Sequence, residues 1–513
     1  MLPSILKFTI CIPTLSMIAC CSLHAQERPN IIVILADDMG YSDLGCMGSE
    51  INTPNLDRLA QNGQLFTHCY NTARSCPSRA SLLTGMYQHK VGIGCMDSNL
   101  GYPSYQGYLN DRCLTIAEEM QLAHYRTIMV GKWHVGSERG QWPDRRGFEH
   151  FYGIPNGGGL YFYPSKFINR PVYQDGKKAA IDSTFYSTTN FTDAALQYIT
   201  DATNDKTPFF MYMAYIAPHF PLQALDKDIA KYKGKYDNGY EAIRLARFEK
   251  QKRLGIIGKE VRLSNPFSIE DKQIDKKMEA RKMEVYAAQI DCLDQNIGRL
   301  VQHLKTLNQL DNTLIIFLAD NGGTAETVNR DPSALIGTRN SFASYGEAWA
   351  NVSNTPYREY KKFVHEGGIL TPLIVHWPNG IRRTNQLNET PIHIMDILPS
   401  CLELAKAKHR TTYKGRTIAD LDGQSFIPLL NKKSRSYTKR VMYWEHMGNC
   451  AIRKGYWKLV RKNKAPWELY NLKDDPTELV NLATEYPNKV KDMTTLWEFW
   501  AEKHQVKKWP VHK

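Results

Sequence analysis

Ile31-Ile32-Val33-Ile34-Leu35-Ala36-Asp37-Asp38 is a run of six apolar residues that stops on two carboxylates. Short, unalternating, β-branched runs of this kind read as strands covered on both faces. Phe209 to Ile216, Thr313 to Ala319 and Leu373 to Trp377 repeat the pattern, and a shorter strand spans Thr127 to Val130. Helical periodicities lie between them. The clearest runs through Tyr286, Ile290, Leu293, Ile297, Leu300 and Leu304, stepping by four and three. Strands alternating with helices predict an α/β fold with a large, mostly parallel sheet. In such sheets ligands gather at the carboxyl ends of strands, where Asp37-Asp38 and Asp320-Asn321 both fall.

Outside this alternation the chain changes character. Residues 224–283 are rich in charge and read as a partly helical insertion near the active-site face. Gly423 to Leu430 reads as a last packed segment before a basic linker, so the catalytic unit is expected over 26–430 and a smaller α+β subdomain over 431–513. In the latter, Val441–Trp444, Cys450–Arg453, Tyr456–Val460 and Trp467–Tyr470 are spaced as a four-stranded antiparallel sheet, closed by a helix near 485–504.

The formal net charge of +13 favours anionic partners. No zinc-finger spacing and no long basic block accompany it, so nucleic acid is set aside and a polyanionic glycan accounts for the charge equally well. Residues 1–25 carry one charge, Lys7, then an apolar stretch from Phe8 to Ala19, and read as a secretory leader cleaved after Ala25. The stretch is too short to be a transmembrane helix, and an exported, periplasmic protein is expected. Met17-Ile18-Ala19-Cys20 is a loose lipobox, whose use would leave the chain lipid-anchored at Cys20. Eight cysteines follow Ala25 without CxxC spacing, most of them read as small buried hydrophobes, with room for one or two bridges.

Alone, Asp37-Asp38 reads as a turn or a helix cap. A second strand ending in Asp320-Asn321 changes this. Three carboxylates and an amide converging at one sheet edge repel unless a hard cation sits among them, and all-oxygen ligation points to Ca2+ or Mg2+. Gly131-Lys132-Trp133-His134 follows a strand, and Lys132 and His134, two apart, project to one side. His219 is fixed between Pro218 and Pro221. Lys361 precedes Glu366-Gly367-Gly368.

Ser75-Cys76-Pro77-Ser78-Arg79-Ala80-Ser81-Leu82-Leu83-Thr84-Gly85 completes the set. It resembles the activation signature of the sulfatase family, and the other motifs match that family in order from Arg28 to about Leu430. The resemblance implies an alkaline-phosphatase-like three-layer α/β/α sandwich and an arylsulfatase-like bacterial glycan sulfatase. It implies that Ser75, two before Pro77, is oxidised to formylglycine, with Cys76 a bystander. It further implies that Asp37, Asp38, Asp320 and Asn321 hold Ca2+, which also touches the group made from Ser75. Arg79 would orient that group, Lys132 and Lys361 bind sulfate oxygens, His134 sit near the hydrated aldehyde and His219 near the leaving oxygen.

Physically, a sulfate ester needs a nucleophile at sulfur, neutralised oxygens and a proton for the departing alcohol. One hydroxyl of an aldehyde hydrate attacks sulfur to form a covalent sulfo-enzyme; the other re-forms the aldehyde and expels sulfate. An unmodified serine has no second hydroxyl to release itself. The chain departs from the family pattern twice. The signature starts with Ser rather than Cys, so a serine-competent maturation enzyme is required. Leu370 stands where the family's Glu-Gly-Gly-x-Arg-x-Pro has a basic residue.

For the substrate, Glu445, His446 and Asn449 offer groups suited to sugar hydroxyls, galactose or N-acetylgalactosamine type being the guess. Tyr102, Tyr105, Tyr108 or Trp349 could stack on a ring. Two rival readings are a phosphatase or phosphodiesterase of the same superfamily and a catalytically inactive glycan-binding homologue.

Overall fold

A computed structural model describes residues 28–163, 165–267, 275–432 and 439–511. The leader, the lipobox and part of the basic linker lie outside them. The central strands are β1 (Asn30–Ala36), β2 (Gln64–Tyr70), β3 (Arg126–Lys132), β4 (His150–Ile154), β5 (Phe209–Ala214), β6 (Thr313–Ala319) and β7 (Leu370–His376). They form the body of an 11-stranded sheet in the order β2-β7-β6-β1-β5-β3-β4, with short strands at each edge. β1 pairs in parallel with both β5 and β6, and β3 with both β4 and β5. β7 runs antiparallel to β2 and β6. The β2 strand has no counterpart in the sequence reading, because Gln64, Thr67 and His68 break the apolar run by which the others are recognised.

Alternate residues of β1 enter two different cores. Ile32 and Ile34 pack with Phe191 and Ile199 of α2 and Leu293 and Ile297 of α3; Ile31, Val33 and Leu35 pack with Ala80 and Leu83 of α1. These helices are α1 (Ser75–Thr84), α2 (Ser187–Asn204) and α3 (Lys276–Thr306). Helices on both faces make the three-layer α/β/α sandwich, and explain why β1 shows no polar alternation. Truncating a β1 residue such as Ile32 to Ala would cost about 2–5 kcal/mol through lost burial and the cavity left behind.

The charged stretch over 224–283 contains the helix Gly239–Leu254 and runs into the start of α3. Its Arg247 is buried, and bridges Asp43 (2.7 Å) and Glu50 (2.8 Å) on the loop after β1.

The C-terminal sheet is a meander of β8 (Val441–His446), β9 (Asn449–Lys454), β10 (Trp457–Arg461) and β11 (Glu468–Asn471), antiparallel throughout. Met447-Gly448 makes the first turn with φ of 52° and 82°, the double left-handed geometry that tight hairpins use. Helix α4 (Pro487–Lys503) covers the sheet, with Trp497 and Trp500 against Ile452, Leu459 and Leu469. All eight described cysteines are free thiols and seven of them are buried, as small apolar residues would be. Among the described residues no helix is long and apolar enough to cross a membrane.

Candidate active site

The parallel register of β1 and β6 pairs Ala36 with Ala319, so the residues that follow, Asp37 and Asp320, emerge side by side. The backbone N–H of Asp320 donates to Ala36 O (3.1 Å) and that of Asp38 to Asp320 Oδ1 (3.1 Å). Lys132 ends β3, and its Nζ reaches across the sheet edge to Asp37 Oδ2 at 2.5 Å. Gly131 lets β3 lie close against the end of β5: a Cβ there would lie 2.0 Å from Ala214 O.

Ser75 opens α1, so its side chain stands at the positive end of the helix dipole. Arg79, one turn on, donates from Nε to Ser75 Oγ (3.0 Å) and from its terminal nitrogens to Asp320 Oδ2 (3.0 Å) and Lys132 O (2.9 Å). Ser78 Oγ accepts from Thr72 N (3.0 Å) and fixes the approach to the helix; Gly85, at φ 67°, ends it. The signature is thus a short buried helix built to hold one hydroxyl. Ser75 Oγ donates to Asp320 Oδ2 (2.6 Å) and lies 3.3 Å from Asp37 Oδ1 and 3.2 Å from Lys132 Nζ.

Asn321 Nδ2 donates to Asp38 Oδ1 (2.7 Å), Lys361 Nζ to Asp38 Oδ2 (2.7 Å), and His219 Nε2 lies 3.4 Å from the same oxygen. The floor of the site is buried: Asp37, Asp38, Asp320, Asn321, Arg79 and Lys132 are fully buried. Burial raises the Asp38 carboxyl, but Lys361, His219 and Asn321 together hold it well below the usual carboxylate range. Burial and the neighbouring Asp37 raise Asp320 against the pull of Arg79 and Lys132. Burial lowers Lys132, opposed by Asp37. Burial brings His219 down to about 4, opposed by Asp38.

Asn321 Oδ1 is buried among these carboxylates with no hydrogen-bond partner. A bare acceptor beside three acidic groups is an all-oxygen donor set that fits a hard cation.

His134 turns at φ 62° just past Lys132. Its Nε2 lies 3.1 Å from Cys76 Sγ and 3.6 Å from Asp97 Oδ2. Burial and Lys132 bring it down to about 3 against the pull of Asp97. The sequence reading treated Cys76 as a bystander and passed over Asp97. The thiol's contact with His134 follows from the one-residue step along α1, and Asp97 comes from a loop without a motif.

The C-terminal residues read as sugar contacts are placed differently. Glu445 takes His89 Nε2 (2.8 Å), the Tyr105 hydroxyl (3.3 Å) and Gly448 N (2.7 Å). Asn449 donates to Lys362 O and His446 O. Both hold the β8–β9 turn and its seating on the rest of the chain. His446 is fully buried, and neither ring nitrogen has a hydrogen-bond partner. Trp349 and Tyr105 are buried, Trp349 between Tyr236 and Tyr240, and so pack rather than present a stacking face.

The sulfatase family model matches residues 29–407, and the model described as N-sulphoglucosamine sulphohydrolase, C-terminal, matches 358–502. An arylsulfatase of Klebsiella aerogenes is 36% identical, covering 82% of this chain and 96% of its own. An uncharacterized sulfatase of Schizosaccharomyces pombe is 35% identical, covering 92% and 93%. The solved structure of Ps i-CgsB in complex with k-i-k-neocarrahexaose superposes with a TM-score of 0.71 at 28% identity, covering 93% of each chain. The chain belongs to the sulfatase family, in the alkaline-phosphatase-like superfamily. It is a sulfuric ester hydrolase.

Proposed function

We propose that the protein removes sulfate from a sulfated carbohydrate, with the nucleophile carried at Ser75 after conversion to formylglycine. The observation that carries this is the bracketing of Ser75 Oγ by Asp320, Arg79 and Lys132 within 3.2 Å at the start of a buried helix. Asp37, Asp38, Asp320 and Asn321 would hold Ca2+, together with the group made from Ser75. Bound there, the ion supplies positive charge for the ester oxygens. The formylglycine hydrate supplies the attacking hydroxyl.

The chain's own residues do the rest. Arg79, hydrogen-bonded at both ends, fixes the position of the Ser75 side chain. Lys132 and Lys361 meet sulfate oxygens from two sides of the carboxylate cluster. His219 Nδ1–H donates to Phe220 O at 2.5 Å, so Nε2 is the bare nitrogen of the neutral ring; a proton taken up at Nε2 beside Asp38 would be the one passed on to the departing alcohol. His134, kept neutral by burial, accepts a proton at Nε2 during release. Relatives of similar size support the carbohydrate class: an N-acetylglucosamine-6-O-sulfatase and an N-acetylgalactosamine-6-O-sulfatase of Bacteroides thetaiotaomicron are each 26% identical to this chain. Export through the 1–25 leader and maturation by a serine-competent enzyme complete the reading.

The test is a screen of matured protein on sulfated galactose, N-acetylgalactosamine and N-acetylglucosamine, reading released sulfate, with phosphate esters alongside. Release of sulfate from at least one sugar, well above phosphate release, is expected. Faster phosphate release would favour the phosphatase reading. Binding without turnover would favour the glycan-binding one.

A further inference from the structure

Cys76 Sγ, His134 Nε2 and an Asp97 carboxylate oxygen lie within 4.8 Å of one another. This cluster stands beside the carboxylate site and differs from it in chemistry. One ligand is sulfur, one nitrogen and one oxygen, a donor set that suits borderline-soft cations rather than Ca2+. We propose that Cys76, His134 and Asp97 form a second, inhibitory site for Zn2+ or a similar transition-metal ion, which silences the enzyme by capturing His134 Nε2. The inhibitory consequence rests on the role given to His134 above; the binding site does not.

The distances fit. Tetrahedral Zn2+ with a sulfur at about 2.3 Å and a nitrogen at about 2.0 Å holds those atoms about 3.5 Å apart. The Cys76–His134 separation is 3.1 Å, so the pair parts by a few tenths of an ångström. The His134–Asp97 separation of 3.6 Å is near the corresponding nitrogen–oxygen spacing. Charge also fits. Lys132, Arg74 and Arg79 stand near Cys76, so a site that stayed cationic would be repelled. A thiolate and a carboxylate neutralise a divalent ion, with the thiol proton leaving to solvent as the metal–sulfur bond forms. Cys76 is fully buried and Asp97 half-exposed, so the ion arrives from the Asp97 side, with water free to take the fourth position. Gly157 leaves the space beside His134 Nε2 unfilled, for a Cβ there would lie 2.0 Å from that atom.

The test titrates Co2+ into the full-length protein held in saturating Ca2+, followed by competition with Zn2+. Neither measurement requires Ser75 to be modified. A near-ultraviolet thiolate-to-cobalt charge-transfer band saturating at one equivalent and abolished by Zn2+ is expected. Cys76→Ser should lose the band, and Asp97→Asn should weaken cobalt binding at least tenfold. Because Asp97 lies on a half-exposed loop, its variant decides the matter if Cys76→Ser misfolds. No thiolate band in the wild type, or a band unchanged in both variants, overturns the site. In matured enzyme, Zn2+ should inhibit in step with site occupancy, and Asp97→Asn should raise the inhibitory concentration at least tenfold. A cobalt band without inhibition leaves the metal site standing and overturns the role given to His134. An inactive matured protein that still shows the band overturns the proposed function alone.

Discussion

Lys458 Nζ, on β10, lies 2.6 Å from Glu366 Oε1 at the foot of β7, both side chains buried. Glu478 shares the same ammonium at 2.8 Å, and Tyr70 donates to the other oxygen of Glu366 at 2.9 Å. Where the family pattern places a basic residue four positions after Glu366, Leu370 is instead fully buried in the core, and the positive charge for Glu366 comes from the C-terminal sheet. Lys458→Met would leave two buried carboxylates without their cation. Breaking such a pair by removing one partner costs about 3–5 kcal/mol. Urea unfolding should show a loss of that order, and an unchanged midpoint would refute the arrangement.

The proposed chemistry makes turnover depend on Ser75. Ser75→Ala should leave the fold intact, since the side chain it removes is one hydroxyl, and abolish sulfate release. Wild-type protein shown by mass spectrometry to retain unmodified serine should be equally inactive on repeated turnover. Multiple turnovers by such protein would sink the proposed chemistry.

Asn321 offers a sharper probe of the cation than the aspartates do, because its removal changes no charge. Asn321→Ala deletes the bare Oδ1 acceptor and the bond to Asp38. Calcium titration by calorimetry should show affinity reduced at least tenfold. Chelation of the wild type should lower its melting temperature, because binding to the folded state alone stabilises it, and added Ca2+ should restore it. A melting temperature indifferent to chelator would count against the site.

Much of this was legible in the chain because parallel strands covered on both faces leave long apolar runs, and because such strands end together. Asp37 and Asp320 could be paired on that ground before any contact was known. The antiparallel course of β7 was not legible: an apolar run gives position but not direction. Nor was the Lys458–Glu366 pair, which joins residues 92 apart in sequence through packing rather than pattern. The partners of Glu445 were not legible for a related reason. A polar residue at a hairpin turn looks free in sequence, and only the fold reveals that His89 and Tyr105 claim it.

Acid should unfold the protein partly through His376. This residue ends β7, is 5% exposed, and has a buried Nδ1 without a hydrogen-bond partner. Burial and then Lys305 bring its pKa down from 6.5 to about 4, with Asp311 opposing. The folded state therefore prefers the neutral ring, while the unfolded chain takes up a proton near 6.5. The stability tied to this preference is present in full above that pH and is lost as pH falls towards 4. At 1.36 kcal/mol per pKa unit the loss approaches about 3 kcal/mol, an upper bound for one group. His68, brought down to about 4 by burial and Arg453, titrates over the same window, so the wild-type curve alone does not isolate His376. Unfolding free energies of wild type and His376→Gln from pH 7.5 to 4.5 supply the difference. The variant should lose about 1–3 kcal/mol less than the wild type over that range. Parallel curves would show that His376 is not held neutral by the fold.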